Sequence, residues 1–328
     1  MIAADSKLAL VTGGAGFIGS HLVRGLLRGG FQVRVLDNFQ TGKLENIEEV
    51  ASDIQILTGS ITDADIVRQA VEGVDCIFHE AALPSVPRSV RDPLASNEVN
   101  VNGTLQLLLA ARDAGVKRLV YAASSSAYGN TPTLPKVETM PAHPLSPYAV
   151  AKLAAEGYCR AFTQVYGLET VSLRYFNVFG PRQDPLSEYA AVIPRFITAL
   201  LEDREMCIYG DGEQSRDFTF IDNVVQGNLK ALAAPGAAGE TCNLATGESY
   251  TLNHLASLLG EILNATPRIR YEQRRAGDVQ HSLADIEKAR RLLGYEPTVT
   301  FRAGLEQTVA YFASLHRAPE TGRERSSA

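Results

Sequence analysis

Ser146-Pro147-Tyr148-Ala149-Val150-Ala151-Lys152 sets a phenol and an ammonium four residues apart behind a good helix start. Ser146 suits an N-cap and Pro147 the first helical position, so Tyr148 and Lys152 share one helical face. A free tyrosine has a pKa of about 10 and is a poor base at neutral pH; lowering it by roughly three units takes about 4 kcal/mol of preference for the phenolate. The Lys152 ammonium and the positive end of the helix both act in that direction. The pair then reads as a general base for a hydroxyl proton. Alone it would not carry that reading, because a tyrosine and a lysine at this spacing are common on a solvated helix face. A second cluster supports it: Arg118-Leu119-Val120-Tyr121-Ala122-Ala123-Ser124-Ser125-Ser126 ends a strand in three serines. Ligands of open parallel sheets bind beyond such strand ends, and Ser124 can hydrogen-bond a reacting oxygen beside Tyr148.

These side chains need a scaffold, and the first half of the chain alternates strand-like and helix-like segments. Residues 8–11, 32–36, 54–57, 75–78, 118–122 and 170–173 read as strands. Helical periodicity covers 17–27, 63–71 and 97–114, and a long helix begins near Pro147. Such alternation predicts a parallel sheet covered on both faces. Between the first strand and the first helix lies Gly13-Gly14-Ala15-Gly16-Phe17-Ile18-Gly19. There, Gly13, Gly16 and Gly19 allow a tight turn, close approach of a pyrophosphate, and close helix–strand packing. The pyrophosphate would lie on the helix N-terminus. Asp37 closes the next strand, where a carboxylate accepts from an adenosine ribose and repels a 2′-phosphate. NAD is therefore expected over NADP, and the positive nicotinamide ring would add to the pull on Tyr148. Alternation places Arg34 on the face opposite Val33 and Val35, and its role stays open at this point.

After Pro181 the rhythm is less regular. Helices are expected at 188–201, 223–233, 252–263, 286–293 and 304–315, with extended pieces at 206–209 and 218–221. The fold class is thus α/β: a Rossmann-type doubly wound parallel sheet over residues 1–180, and a smaller C-terminal α+β substrate lobe over 181–316. Some segments of the second stretch are allowed to return to the first. Residues 317–328 are polar, lack periodicity and are expected to be a disordered tail.

The chain has 328 residues, 45% of them apolar, a formal net charge of −6 and no long basic run. That composition supports a sizeable core and argues against a nucleic-acid or anionic-membrane surface. Cys76, Cys159, Cys207 and Cys242 show no metal or redox spacing, no metal site is expected, and His79 reads as a satisfied core or loop histidine. With no signal peptide and no apolar run of about 20 residues, a soluble cytoplasmic protein is expected.

The glycine motif, Ser124, the Tyr148–Lys152 pair and Arg174-Tyr175-Phe176-Asn177-Val178-Phe179-Gly180-Pro181 together resemble the extended short-chain dehydrogenase/reductase family of NAD-dependent epimerases and dehydratases, over about residues 7–315. Within it, Ala82-Leu83-Pro84-Ser85-Val86-Pro87-Arg88-Ser89, residues 188–194 and Gly210-Asp211-Gly212-Glu213-Gln214-Ser215-Arg216-Asp217-Phe218 are similar to UDP-N-acetylglucosamine 4-epimerases and the related UDP-glucose 4-epimerases. The resemblance implies Ser124, Tyr148 and Lys152 as the catalytic set. It implies cofactor contacts from Gly13, Gly16, Phe17, Ile18, Gly19, Asp37 and Asn38. Ser60, Ile61, Ala81, Ala82 and Tyr175 join them, with Lys152 also holding the nicotinamide ribose.

For a UDP-sugar, the resemblance implies Asn177, Arg216 and Arg275 at the diphosphate, Asp278 at the uridine ribose, and Val192 and Tyr209 at the uracil. Ser85, Ser124, Ser125 and Ser126 would face the sugar. The family departs here at Ser60, where many relatives carry Asp against adenine, and at Pro84, where glucose-specific relatives often carry Lys. Dehydratases place an acid where Ser125 or Ser126 stands, so elimination lacks its proton carrier. Ser282, four residues after Asp278, stands where a tyrosine narrows the sugar pocket in some relatives; a serine leaves room for a 2-acetamido group. The activity so implied is inversion at C4 of UDP-GlcNAc/UDP-GalNAc, with UDP-glucose/UDP-galactose as further substrates, through a 4-keto sugar. The alternatives are a UDP-glucuronate 4-epimerase or another nucleotide-sugar enzyme, and a non-catalytic NAD-binding regulatory protein. A homodimer through helices 97–114 and 147–166 is also implied.

Overall fold

The computed structural model describes residues 7–185, 191–274 and 279–317. Six strands come from residues 8–175: β1 (Leu8–Thr12), β2 (Gln32–Asp37), β3 (Ile54–Thr58), β4 (Cys76–His79), β5 (Arg118–Ser124) and β6 (Glu169–Tyr175). A seventh, Thr241–Leu244, comes from far along the chain and pairs with β6 at the edge. The order is Thr241–Leu244, β6, β5, β4, β1, β2, β3, and all pairs are parallel. The strand order reverses between β1 and β4, which opens a crevice at their C-terminal ends.

Side chains alternate between the two faces. Val11, Val35, Phe78 and Val120 enter one apolar cluster, while Leu10, Leu36, Ile77 and Leu119 enter the other. The first face is covered by helix α1 (Phe17–Arg28) and by Ile221–Ala233, with Gly25 admitting Val225: a Cβ there would lie 2.6 Å from the Val225 Cγ1. Helices Thr104–Asp113 and Pro147–Tyr166 cover the second. Arg34 points away from Val33 and Val35, as the alternation requires. It donates to the carbonyls of Ala70 (2.9 Å) and Glu72 (2.8 Å) at the end of helix Ala64–Val71.

Several boundaries differ from the sequence expectation for local reasons. The helix expected over 97–114 begins as Pro93–Asn97, passes through a π-helical turn, Glu98–Gly103, and continues as Thr104–Asp113. One short helix, Val86–Arg91, precedes it; it and the opening segment Pro93–Asn97 each have a proline in the first turn and a side-chain cap, from Ser85 and Asp92. Extended residues Thr219–Phe220 pair with Val178–Phe179, whereas Ile221 already opens the next helix. A helix runs over Val192–Leu201; residues 188–190 of that expectation lie outside the described residues. In a separate two-stranded sheet Met206–Tyr209 pairs with Ile269–Glu272, which was not foreseen.

Cys76, Cys159 and Cys242 are buried and Cys207 is partly buried; all four are free thiols. His79 is fully buried between the hydroxyls of Thr12 (2.7 Å) and Thr104 (2.9 Å).

Candidate active site

The helix that carries Tyr148 and Lys152, Pro147–Tyr166, is anchored at its start twice. Ser146 accepts from the Ala149 N–H (3.2 Å), and the Ser89 hydroxyl, donating to the Val86 carbonyl, accepts from the Tyr148 N–H at 3.0 Å. Helix Val86–Arg91 therefore braces the first turn of the helix that follows 50-odd residues later. One turn on, the Lys152 side chain is 4% exposed; its Nζ donates to the Ala122 carbonyl of β5 at 2.8 Å and lies 5.1 Å from the Tyr121 ring centre. Ser124 ends β5. Its hydroxyl accepts from the Ser126 N–H (3.2 Å) and hydroxyl (2.8 Å), which leaves its own proton for the Tyr148 phenol.

Electrostatics at this end depart from the sequence expectation. Burial pushes the Tyr148 phenol up to about 12; the Ser124 hydrogen bond pulls it down, and the charge of Glu80 raises it further. Burial likewise lowers Lys152 to about 8, opposed chiefly by Glu80. The protein atoms by themselves thus favour a neutral phenol, and a phenolate needs positive charge brought by a ligand.

From this point a cleft of about 700 Å³ runs across the C-terminal ends of β4, β1 and β2. Tyr148, Lys152 and Tyr175 line one end, and Ala81, Ala82 and Ser85 the wall beside them. Gly13, Gly16, Gly19, Phe17 and Ile18 form the middle, and Asp37, Asn38, Ser60 and Ile61 the far end. Gly13 has φ +70°, and a Cβ there would sit 2.7 Å from the Ala81 nitrogen, so only glycine fits this turn. The N-cap of α1 is Gly16, which places no side chain over the first-turn N–H groups. Asp37 is fixed by the N–H groups of Ala15 (2.9 Å) and Phe39 (2.8 Å), and burial raises its carboxyl. An acceptor at one end, a bare helix N-terminus in the middle and a phenol with an ammonium at the other match the parts of a dinucleotide.

The sequence reading missed part of this wall. Glu80, Arg88, the turn 39–43, Gln183 and Asp184 also line the cleft, and Lys43 pairs with Asp184 at 3.1 Å across its far side. One signal was available: Glu80 is a carboxylate directly after the strand Cys76–His79, where ligands of parallel sheets bind.

The residues expected around a UDP-sugar lie mostly in a second group of segments. Ser125 and Ser126 open the 3₁₀ turn Ser125–Tyr128. Asn177 has φ +30° and donates to the Asp217 carbonyl (3.0 Å). Val192 starts its helix directly after Ala191, a cleft residue. Tyr209 ends a strand, and its carbonyl accepts from Gln214 (2.7 Å). Arg216 donates to the carbonyls of Ser215 (2.9 Å) and Gln280 (3.1 Å). Ser282 is 8% exposed, and its N–H donates to the Ser215 carbonyl (3.0 Å). Arg275 and Asp278 lie outside the described residues. Asp217 ties these segments together: its carboxylate accepts from Thr246 N–H (3.0 Å) and hydroxyl (2.8 Å), Gly247 N–H (3.0 Å) and Ala284 N–H (3.2 Å).

A model of the family described as "NAD dependent epimerase/dehydratase" matches residues 9–245. The chain is 39% identical over 307 residues to a UDP-glucose 4-epimerase of Mycolicibacterium smegmatis, covering 92% of this chain and 97% of that one. Among solved structures it is similar to a UDP-N-acetylglucosamine 4-epimerase of Methanobrevibacter ruminantium in complex with UDP-N-acetylmuramic acid (39% identity, TM-score 0.91, 94% and 99% of the two chains). It is also similar to a UDP-glucuronic acid 4-epimerase of Bacillus cereus in complex with UDP-glucuronic acid and NAD (34% identity, TM-score 0.88, 94% and 99%).

Proposed function

The chain belongs to the NAD-dependent epimerase/dehydratase family, and from that premise we propose that it inverts C4 of a UDP-linked hexose, with UDP-GlcNAc/UDP-GalNAc as the leading substrate pair and UDP-glucose/UDP-galactose accepted alongside. The observation that carries this reading is the Tyr148 phenol, with Ser124 beside it and buried Lys152 one turn later, at one end of a cleft whose lining also includes the glycine turn and Asp37. NAD, the cofactor of this family, supplies a hydride acceptor and donor at C4 when bound. Tyr148 takes the C4 hydroxyl proton and returns it. Ser124 donates to the phenolate or the sugar oxygen, and Lys152 supplies fixed positive charge beneath them. Asn177, Arg216 and Arg275 hold the diphosphate, Asp278 the uridine ribose, and Val192 and Tyr209 the base. The sugar turns while the nucleotide stays clamped. Serines at 125 and 126 leave those two positions without the acid that dehydratases place there, which favours epimerisation over dehydration. The small, buried Ser282 supports room for a 2-acetamido group.

Arg88 lines the cleft near Ser85, and a guanidinium suits a carboxylate; this keeps a UDP-uronic acid as the second substrate class. Incubation with UDP-GlcNAc, UDP-glucose and UDP-glucuronate, with separation of the 4-epimers, tests both. Tyr148→Phe should reduce turnover by about 10²–10⁴-fold while NAD stays bound. No epimer from any of the three would leave a non-catalytic NAD-binding protein, the reading that an intact Ser124–Tyr148–Lys152 set disfavours. We further infer a homodimer through the adjacent helices Thr104–Asp113 and Pro147–Tyr166, whose outer faces expose Leu109, Val150, Tyr158 and Val165; a monomer mass by light scattering would refute it.

A further inference from the structure

Glu80 follows His79 at the C-terminal end of β4 and lines the cleft at its reacting end. The reaction scheme above gives it no part, yet the fold holds it firmly. The Tyr175 hydroxyl donates to its Oε1 at 2.7 Å. Behind Tyr175, the Asn228 amide donates to the phenol oxygen (2.9 Å) and to the Val224 carbonyl (2.8 Å). Tyr175 and Asn228 are both buried. The phenolic proton has two acceptors in reach, Glu80 Oε1 at 2.7 Å and Asn228 Oδ1 at 3.1 Å; the shorter contact is to Glu80, and a charged acceptor makes the stronger bond.

The groups facing Glu80 are few. Tyr148 and Lys152 come from helix Pro147–Tyr166, Tyr121 from β5 and Tyr175 from β6. His79 on its own strand is neutral, its pKa lowered by burial and its ring held by two threonine hydroxyls. Lys152 is the cation of this set: the β4–β5 register sets His79 opposite Tyr121, so Glu80 comes beside Ala122, whose carbonyl accepts from the Lys152 Nζ at 2.8 Å. Burial raises the Glu80 carboxyl to about 7, with Tyr175 and Lys152 opposing that rise, while Glu80 in turn supports the charge on Lys152.

We propose that Glu80 is the counter-ion of this site: its carboxylate, fixed by Tyr175 and Asn228, keeps the Lys152 ammonium charged and thereby sets the pH window in which Tyr148 and Lys152 act. Glu80 is a positioning residue, acting through Lys152 rather than on the sugar. Its consequence for turnover rests on the epimerase reading; its effect on Lys152 does not.

The sign follows from charge alone. Without the carboxylate, Lys152 loses its proton at lower pH, and Tyr148 also ionises at lower pH, so both limbs of a bell-shaped profile move toward acid. An opposite charge at close range is worth about one to two pH units. The test compares NAD-bound wild type, Glu80→Gln and Glu80→Asp. Lys152 is titrated by NMR of protein labelled at the lysine ε-carbon, its signal assigned by loss in Lys152→Met, and the pH profile of turnover is recorded in parallel. The expected result is a Lys152 midpoint and both kinetic limbs lowered by about one to two units in Glu80→Gln, with Glu80→Asp restoring most of the shift. Should Glu80→Gln fail to fold, Tyr175→Phe removes the donor that favours the charged carboxylate and should move the midpoint the same way by less. An unmoved Lys152 midpoint, or lowered turnover with unmoved limbs, overturns the proposal. Absence of turnover in wild type would refute the epimerase reading only, because the NMR titration still decides the role of Glu80.

Discussion

Glu156 and Arg174 form the most deeply buried ion pair among the described residues, and removing one partner should be costly. Glu156 lies one turn beyond Lys152, and Arg174 lies on β6 beneath it. Their side chains are 4% and 5% exposed, and two hydrogen bonds join them, Nε–Oε2 at 2.9 Å and a terminal nitrogen to Oε1 at 2.8 Å. The guanidinium also sits 4.7 Å from the Tyr128 ring centre, and its other terminal nitrogen has no hydrogen-bond partner. Glu156→Ala leaves that cation buried with nothing to neutralise it, which costs about 3–5 kcal/mol. Unfolding entropy of about 2.1 cal/mol/K per residue gives about 0.7 kcal/mol/K for 328 residues. The melting temperature should therefore fall by about 4–7 °C in calorimetry at a fixed scan rate. Replacing both partners with apolar residues, Glu156→Leu with Arg174→Met, should recover most of the loss, because no orphaned charge remains. A fall within measurement error in Glu156→Ala, or a double variant worse than the single one, would refute the reasoning.

Two further outcomes test the cleft and the linkage of charge to stability. Gly16→Ala sets its Cβ in a tight contact with the Gly13 carbonyl, 3.1 Å away, which must give by a few tenths of an ångström, while its φ of −74° suits alanine. It should leave the fold stable but weaken NAD binding at least tenfold in calorimetric titration of cofactor-stripped protein; wild-type affinity would contradict the placement of the pyrophosphate. Burial lowers the pKa of His21 from 6.5 to about 4, opposed by its hydrogen bond to the Pro181 carbonyl. A histidine depressed in the folded state contributes stability above its unfolded pKa, and that contribution of about 3 kcal/mol is lost as pH falls from about 6.5 toward 4. Urea unfolding across that range should show a shallower loss in His21→Gln than in wild type; parallel profiles would remove His21 as the cause.

What the sequence disclosed follows from which constraints are local. The glycine turn, Asp37 and the Tyr148–Lys152 pair were legible because each is a contiguous run whose geometry depends on one strand end or one helix turn. The six strands within residues 8–175 were legible because a sheet buried on both faces demands short apolar runs. Thr241–Leu244 escaped because it is four residues long and contains the polar Asn243, buried and bonded to the carbonyls of Lys136 (2.9 Å) and Asp285 (3.0 Å). The grouping of Asn177, Arg216 and Ser282 depends on pairings between distant segments, such as Ser215 with His281, and on Asp217 as their shared acceptor. No local pattern reports those. The rise in the Tyr148 pKa was hidden for a related reason: spacing shows which charge is near a phenol, whereas the depth at which it is buried is decided by the whole fold.

The edge strand Thr241–Leu244 also bears on how the chain is made. When residue 185 leaves the ribosome, the exposed flank of β6 still lacks its hydrogen-bonding neighbour, and the sheet face later covered by Ile221–Ala233 is bare. The nucleotide-binding part therefore waits, its edge unpaired, for some sixty more residues, and its sheet is complete only once Thr241–Leu244 has been made.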